Sequence, residues 1–344
     1  DVFPDHIAII HGNSKTTYRD FYIRSKQLAS SLAQLGMTRG STVSTLLLNT
    51  PPMLEAHYGI PMCGAVIHAI NTRLDPATIA FQLDHANSEI LFYDRELGGT
   101  VKEVLSYCQV KPHLIEFVDS ENDYKDALVD LGADDYEVFL KKGDSNYQWL
   151  MPENEWDAIS VGYTSGTTGD PKGVVSHHRG AYLLAQGNAM VASMPKHSVY
   201  LWTLPMFHCN GWCFPWTMSA IIGTHVCLRQ VRAEPIWQSI KTHKISHLCG
   251  APIVMSVILS FDKQQDYKPD NQVQFFTAAA PPPESVLKKM QQAGFLVTHL
   301  YGLTETYGPA VINEWHQEWD SLNITEQASL KARQGVRYLP LENL

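Results

Sequence analysis

A loop rich in glycine and hydroxyl side chains follows an apolar segment near the middle of the sequence. Residues 163–173 read YTSGTTGDPKG, with three glycines, four Ser or Thr side chains and Lys172. Glycines let backbone amides turn inward, where the amides, the hydroxyls and a mobile lysine can surround phosphate oxygens. A flexible surface loop is the alternative, but such loops rarely follow a buried strand and end in Pro-Lys-Gly. We therefore predict a phosphate site here.

Two other motifs of similar composition do not fit this loop. A Walker A loop requires Gly-Lys-Ser/Thr, whereas Pro171 precedes Lys172 and Gly173 follows it. A nucleophile elbow requires Gly-x-Ser-x-Gly, whereas Ser165 stands one place too late after Gly162. The sequence therefore excludes a Walker A loop and a hydrolase nucleophile at this position.

A second candidate site is the histidine in the run LPMFHCNGW at residues 204–212. A histidine at the end of a strand can close over a carboxylate or a phosphate. Considered alone, His208 is more typical of a packed core histidine. A metal site with Cys209 and Cys213 is another alternative, but it lacks a fourth ligand and the usual zinc spacing.

A third candidate is the run HLYGLTET at residues 299–306, which also follows an apolar strand. The hydroxyl of Thr304 can bond an α-phosphate, and Glu305 beside it can hold a Mg²⁺ ion that bridges phosphates. The ring of Tyr301 can stack on a purine. A polar turn after a strand is the alternative, and it would be favoured for this run in isolation.

Helical and strand-like segments alternate along most of the chain and must position these three runs. A helix is predicted after Thr17, with Asp20 as in a capping box and Gly36 just beyond its end, and further helices at 53–63 and 76–85. The predicted strands span residues 43–48, 65–70, 90–93, 159–163, 199–204, 225–228, 245–248, 273–277 and 296–299. Apolar strands between helices indicate mostly parallel sheets flanked by helices, so the predicted fold class is α/β.

The composition narrows the range of partners. Lys and Arg number 26 against 35 Asp and Glu, which gives a formal charge of −9, whereas nucleic acids and anionic membranes require positive surfaces. No apolar run is long enough to span a bilayer. The acidic stretch at residues 119–144 is predicted to be a solvated excursion on the surface.

The six cysteines lie mostly in apolar stretches and indicate reduced thiols in a reducing compartment. The first residues have no basic region followed by an apolar one, so no signal peptide is expected. The sequence does not begin with Met, which indicates that it was taken from within a longer protein.

Together, the three runs resemble the motifs of the adenylate-forming superfamily, which includes acyl-CoA synthetases, coumarate–CoA ligases, luciferases and the adenylation domains of peptide synthetases. The loop at 163–173 matches the signature Thr-Ser-Gly-Ser/Thr-Thr-Gly-x-Pro-Lys-Gly completely. The run at 204–212 resembles the Pro-x-Phe-His motif, in which the histidine gates the carboxylate pocket. The run at 299–306 resembles the second nucleotide motif, and residues 278–281 resemble the segment that lines the adenine.

The resemblance implies ATP, Mg²⁺ and coenzyme A as cofactors, and His208, Thr304 and Lys172 as catalytic residues. The loop would hold the β- and γ-phosphates, Thr304 the α-phosphate, Glu305 the Mg²⁺ ion, and His208 the mouth of the carboxylate pocket. The nucleotide-binding residues implied in this way are Thr164, Ser165, Gly166, Thr167, Thr168, Gly169, Lys172, Ala278, Ala279, Ala280, Pro281, His299, Tyr301 and Thr304.

Two shorter runs are similar to the plant acyl-activating branch, which includes short- and medium-chain acyl-CoA ligases and cinnamate–CoA ligases. These runs are MFHCNGW at 206–212 and KARQG at 331–335. His299 departs from the glutamine common in coumarate ligases, which weakens a hydroxycinnamate assignment. Trp212 and Trp216 are large enough to shorten the acyl pocket, which would be apolar and of modest depth. Neither carries a charge that could pair with those of an amino acid, which favours a plain carboxylic acid.

The implied function is conversion of a carboxylic acid to acyl-AMP with release of pyrophosphate, and then to acyl-CoA. The substrate is expected to be a short- or medium-chain fatty acid or a simple aryl acid. Residues 1–344 would be the N-terminal core of such a ligase, incomplete at both ends and poorly active, because nothing after Arg333 matches the ribose-binding Asp segment or the C-terminal lid.

Two alternatives stay open: a non-catalytic nucleotide-binding fragment, and an adenylating enzyme that uses an acceptor other than coenzyme A. The expected partners are the acid and coenzyme A, without nucleic acid and without a membrane span. The expected location is the cytoplasm or the peroxisome. The oligomeric state is not predicted.

Overall fold

The computed structural model describes residues 2–124, 129–164, 169–262, 264–267, 269–278, 282–331 and 333–342. The chain divides into two compact units. The first unit comprises residues 1–181 with 206–210, and the second comprises 182–205 with 211–344.

The first unit opens with an antiparallel hairpin and a long helix. These are β1 (Ile7–His11), β2 (Ser14–Thr17) and α1 (Tyr18–Gln34). The Thr17 hydroxyl accepts a hydrogen bond from the backbone N–H of Asp20 at 3.1 Å and donates to its carboxylate at 2.7 Å. Gly36, with φ +94°, follows the C-terminus of α1. Both boundaries of this helix were predicted, because capping depends on local residues.

The remaining strands of the first unit form a seven-stranded sheet in the order β7-β6-β5-β3-β4-β8-β9. All neighbours pair parallel except β8 and β9, which pair antiparallel. The strands are β3 (Thr42–Leu46), β4 (Val66–Ala69), β5 (Ser88–Asp94), β6 (His113–Phe117), β7 (Asp134–Asp135), β8 (Ala158–Thr164) and β9 (Lys172–His177).

Helices follow most of these strands, as parallel pairing requires. They are α2 (Pro51–Met62), α3 (Pro76–His85), α4 (Gly98–Tyr107), α5 (Tyr136–Lys141) and α6 (His178–Val191), which runs on into the second unit. Helix α3 has the predicted bounds. The side chain of Asp75 accepts a hydrogen bond from the Thr78 N–H at 2.9 Å and so caps the N-terminus of this helix.

The prediction of a solvated excursion at residues 119–144 is wrong for part of that stretch. Tyr136, Phe139 and Leu140 of α5 are buried. The hydroxyl of Tyr136 donates to Glu55 at 2.6 Å, and the same carboxylate accepts from Arg24 at 2.6 Å. The apolar residues recur at helical spacing and pack inward, whereas Asp130, Asp135 and Asp144 are exposed.

The second unit has a mixed sheet in the order β16-β15-β14-β13-β12-β10-β11. The pairs from β14 to β11 are parallel, and β14, β15 and β16 pair antiparallel. The strands are β10 (Val199–Leu201), β11 (Thr224–Cys227), β12 (His247–Cys249), β13 (Val273–Thr277), β14 (Phe295–Leu303), β15 (Gly308–Ile312) and β16 (Val336–Arg337).

The helical elements associated with this sheet are α7 (Cys209–Trp212), α8 (Phe214–Ala220), α9 (Ala233–His243), α10 (Pro252–Leu259), α11 (Glu284–Gln292) and α12 (Ile324–Lys331). Two mostly parallel sheets flanked by helices confirm the predicted α/β class. In the part of the chain that the structure describes, no helix is both long enough and apolar enough to cross a membrane.

Candidate functional site

The predicted phosphate loop is carried by the hairpin of β8 and β9 in the first unit. Thr164 ends β8 and pairs with Lys172, the exposed first residue of β9. Gly169 has φ +152°, a conformation that favours glycine. The remaining predicted loop residues, Ser165, Gly166, Thr167 and Thr168, lie outside the described residues. The structure therefore shows the frame that holds both ends of the loop close together.

Tyr163 anchors the base of this hairpin. Its hydroxyl shares a hydrogen bond of 2.7 Å with Nδ1 of His85, and its ring centroid lies 5.1 Å from that of His68. Burial raises the pKa of Tyr163 to about 12, so the phenol stays protonated at neutral pH. Sequence reasoning assigned no role to Tyr163 or His85, because 78 residues separate them.

His208 lies in the segment 206–210, which belongs to the first unit. The buried N–H of Met206 donates to the side-chain oxygen of Asn49 at 2.8 Å and joins this segment to the loop between β3 and α2. Desolvation by surrounding atoms lowers the pKa of His208, although its side chain keeps an exposed face. The imidazole is therefore neutral at neutral pH and can donate from one nitrogen and accept at the other.

The short element α7 directly after His208, together with Cys213, forms a left-handed turn. The φ angles of Cys209, Asn210, Gly211, Trp212 and Cys213 are +42°, +40°, +57°, +54° and +62°. Left-handed backbone costs L-residues roughly 1–2 kcal/mol each and normally occurs in single residues. Such strain tends to collect at functional sites, where the surrounding structure imposes it.

Two contacts inside the second unit hold the C-terminal part of this turn. The amide of Asn188, a fully buried residue of α6, donates to the carbonyl oxygen of Trp212 at 2.8 Å. At Gly211 a Cβ atom would lie 2.9 Å from the ring of Trp202, so only glycine fits. The Asn-Gly pair in the sequence is a signal for positive φ that could have predicted part of this turn.

The third motif lies on β14, which is longer than predicted. The sequence predicted a strand at 296–299, whereas β14 continues to Leu303. Its second half pairs antiparallel with β15, with Tyr301 opposite Val311. His299 and Tyr301 are therefore strand residues, and only Thr304 and Glu305 lie in the turn that follows. The prediction ended the strand early because Gly302 and the polar residues after it are typical of a turn, whereas hairpin pairing with β15 extends the strand through Gly302.

The 3₁₀ turn at Thr304–Thr306 presents the predicted phosphate and metal ligands. The Thr306 hydroxyl accepts from the N–H of Leu303 at 2.9 Å and donates to the carbonyl oxygen of Gly308 at 2.6 Å. Glu305 is exposed on this turn. Among the described residues no group of three or more His, Cys, Asp or Glu is arranged to hold a metal. One carboxylate still fits Mg²⁺, which commonly takes its other ligands from substrate phosphates and water.

The structure brings together two segments predicted to bind nucleotide. Thr277 at the end of β13 pairs with His299 on β14, so Ala278 follows directly beside His299. Ala279, Ala280 and Pro281 lie outside the described residues. A cavity of about 290 Å³ adjoins His299 and is lined also by Pro282, Trp315 and Lys331. This volume is near the lower end for small-molecule pockets.

The chain is similar to known proteins along nearly its whole length. The sequence model described as AMP-binding enzyme matches residues 1–335. Acetate/butyrate–CoA ligase AAE7, peroxisomal, from Arabidopsis thaliana is 46% identical, and acetate–CoA ligase CCL3 from Humulus lupulus is 44% identical. Each alignment covers 100% of this chain and 62% of the relative, so the chain spans less than two thirds of the length of these relatives.

A solved structure shares the fold. The N-terminal domain of FACL13 from Mycobacterium tuberculosis matches with a TM-score of 0.82 at 20% sequence identity. The match covers 98% of this chain and 80% of that domain structure.

Proposed function

Because the chain belongs to the AMP-binding enzyme family, we propose that it is the adenylating core of a ligase that converts a carboxylic acid to acyl-AMP and then to acyl-CoA. The observation that most supports this is the 46% identity, along the whole chain, to an acetate/butyrate–CoA ligase. The proposed acid is a short- or medium-chain fatty acid or a simple aryl acid.

The first step joins two anions that repel each other. A carboxylate oxygen attacks the α-phosphorus of ATP, a new P–O bond forms, and the bond to pyrophosphate breaks. The chain's task is to position both reactants and to stabilise the charge that develops on the phosphoryl oxygens. Bound Mg²⁺ neutralises part of that phosphate charge.

Each described motif has a proposed role in this step. Lys172 and the loop before it bind the β- and γ-phosphates, and the Thr304 hydroxyl binds the α-phosphate. Glu305 ligates Mg²⁺. His208, neutral because its pKa is lowered, donates a hydrogen bond at the carboxylate mouth without trapping the acid in an ion pair.

The adenine is assigned to the second unit. We place it between Tyr301 and the segment that begins at Ala278, with His299 at the neighbouring position of the sheet. The exposed ring of Tyr301 is available for stacking on the base. The cavity beside His299 offers space next to this segment.

The second step is the proposed attack of the coenzyme A thiol on the acyl carbon of acyl-AMP, which releases AMP. We assign residues 1–344 to the core that carries out the first step. The proposed location is the cytoplasm or the peroxisome, and the Arabidopsis relative is described as peroxisomal.

Pyrophosphate release tests this proposal. The protein is incubated with ATP, Mg²⁺ and a panel of acetate, butyrate, hexanoate, cinnamate, a long-chain fatty acid and an amino acid, with and without coenzyme A. We expect acid-dependent pyrophosphate release that is greatest with butyrate or hexanoate. Nucleotide binding without release under any condition would indicate a non-catalytic binder. Release with an acid but no thioester would indicate a different acceptor.

A further inference from the structure

Asn210 carries a buried hydrogen-bond donor that the fold does not use. Its side chain is 1% exposed, and its Nδ2 group has no hydrogen-bond partner among the residues that the structure describes. Buried amide groups in folded proteins almost always have a partner, and an unpaired one costs free energy. A donor buried at this cost is a candidate for a contact that forms only when a ligand is bound.

The backbone at Asn210 is strained as well. Its φ angle of +40° lies within the left-handed turn from Cys209 to Cys213. The turn is imposed from its far side by the Asn188 hydrogen bond to the Trp212 carbonyl and by the packing of Gly211 on Trp202. These contacts hold the backbone on the C-terminal side of Asn210, and a donor carried on a held backbone lowers the cost of binding.

The position of Asn210 indicates which ligand would use this donor. It stands two residues after His208, so the two Cα atoms are at most about 7.6 Å apart. His208 is assigned to the carboxylate mouth under the proposed function, on which this inference rests. A neutral amide there adds a hydrogen bond to a carboxylate oxygen without adding a charge.

We propose that Asn210 contacts the substrate, and that its amide donates a hydrogen bond to the carboxylate oxygen that does not attack phosphorus. This oxygen becomes the carbonyl oxygen of the acyl-AMP, so the contact persists through the first step. Asn210 is 1% exposed, so the side chains around it move aside when the acid enters. Asn210 is then a residue that selects for an acid bound with its carboxylate beside His208.

The test compares two ligands that differ only in the acyl group. Butyryl-sulfamoyl-adenosine carries an acyl carbonyl that stands for the proposed acceptor oxygen, and sulfamoyl-adenosine lacks it. Affinities are measured by isothermal titration calorimetry, and the thermal stability of each unliganded variant is measured in parallel. The variants are Asn210→Gly, which suits the left-handed backbone, and Asn210→Asp, which keeps the size but replaces the donor with a negative charge.

We expect Asn210→Gly to lose about tenfold in affinity for the butyryl compound, the value of one hydrogen bond to a polar acceptor. Its affinity for sulfamoyl-adenosine should not change, because that compound lacks the acyl carbonyl. Asn210→Asp should lose more affinity for the butyryl compound, because its carboxylate repels the carbonyl oxygen. Ser193→Gly is the matched control, since Ser193 also has a positive φ of +49° but is exposed.

Two results would overturn the inference. These are an equal loss for both compounds, or no loss for either. If the wild type itself binds the butyryl compound no better than sulfamoyl-adenosine, the proposed function fails, and the role of Asn210 fails with it.

Discussion

At the scale of single residues, Lys172 is the positively charged side chain of the phosphate loop at residues 163–173. It is exposed at the first position of β9, so it contributes little to packing. Lys172→Ala should therefore leave the melting temperature unchanged and raise the KM for ATP by about tenfold or more, the value of a charge-assisted contact. ATP-dependent pyrophosphate release measures this. Lys15→Ala, at an exposed site on β2, is the control. Equal ATP kinetics in Lys172→Ala and the wild type would contradict the assignment.

Glu305 allows a second prediction at this scale. Glu305 is exposed on the turn that follows β14. The hydrogen bonds of Thr306 to Leu303 and Gly308 stabilise this turn and do not involve the Glu305 side chain. Glu305→Gln should keep the fold and raise the Mg²⁺ concentration needed for half-maximal acyl-AMP formation several-fold, since an anionic ligand becomes neutral. The measurement is a Mg²⁺ titration at fixed ATP, with Glu314→Gln as an exposed control. Superimposable titrations would identify Glu305 as a surface carboxylate.

At the scale of elements, the phosphate loop depends on how firmly its hairpin is held. Tyr163→Phe removes the hydrogen bond to His85 but retains the ring against His68. We expect a KM for ATP several-fold higher, with kcat changed less, because the loop must then be ordered by the nucleotide. His85→Ala should reproduce the effect if the pair acts as a unit. The double variant should then raise the KM for ATP no more than either single variant does. If the two losses add in the double variant, the hydrogen bond between Tyr163 and His85 does not order the loop.

The left-handed turn permits a prediction about stability. Gly211 and Gly36 both have positive φ, but a Cβ would meet the Trp202 ring at 2.9 Å at Gly211 and nothing within 4 Å at Gly36. Gly36→Ala should destabilise by about 1 kcal/mol through backbone strain alone. Gly211→Ala should cost roughly 1–3 kcal/mol more because of overpacking. Urea unfolding of the two variants measures the difference, and equal losses would show that the turn can relax away from Trp202.

At the scale of the whole molecule, buried histidines make the fold sensitive to acid. Burial lowers the pKa of His57, His68 and His247 to about 4 each. An unfolded histidine titrates near 6.5, so between pH 6.5 and 4 the unfolded chain takes up protons that the folded chain does not. Stability should therefore fall as the pH decreases through this window, with a slope of about 1.4 kcal/mol per pH unit for each histidine.

The variant His57→Gln tests this sign and size. Glutamine does not titrate, so the slope of the unfolding free energy against pH should decrease by one histidine's share. His113, which is exposed, provides the control variant His113→Gln. A wild-type stability that is flat from pH 6.5 to 4, or a His57→Gln slope equal to that of the wild type, would contradict the prediction.

The sequence by itself determined the family, the α/β class and most strands and helices of the two sheets. Apolar runs of strand length, caps such as Thr17 and Asp75, and the loop signature at 163–173 are local patterns, and local chemistry is enough to define them. The same patterns placed Thr304 and Glu305 beyond a strand. These patterns did not predict where β14 ends. Its end is set by antiparallel pairing with β15, which begins five residues after Leu303.

Only the tertiary structure decided which side chains support the motifs. Three hydrogen bonds join residues that are far apart in the sequence. Tyr163 and His85 are separated by 78 residues, Asn188 and Trp212 by 24, and Met206 and Asn49 by 157. None of these pairs has a signature in the sequence, because each depends on packing between elements that are remote along the chain. Long-range contacts also account for part of the left-handed turn after His208. Asn210 and Gly211 favour positive φ by themselves, whereas Cys209, Trp212 and Cys213 do not.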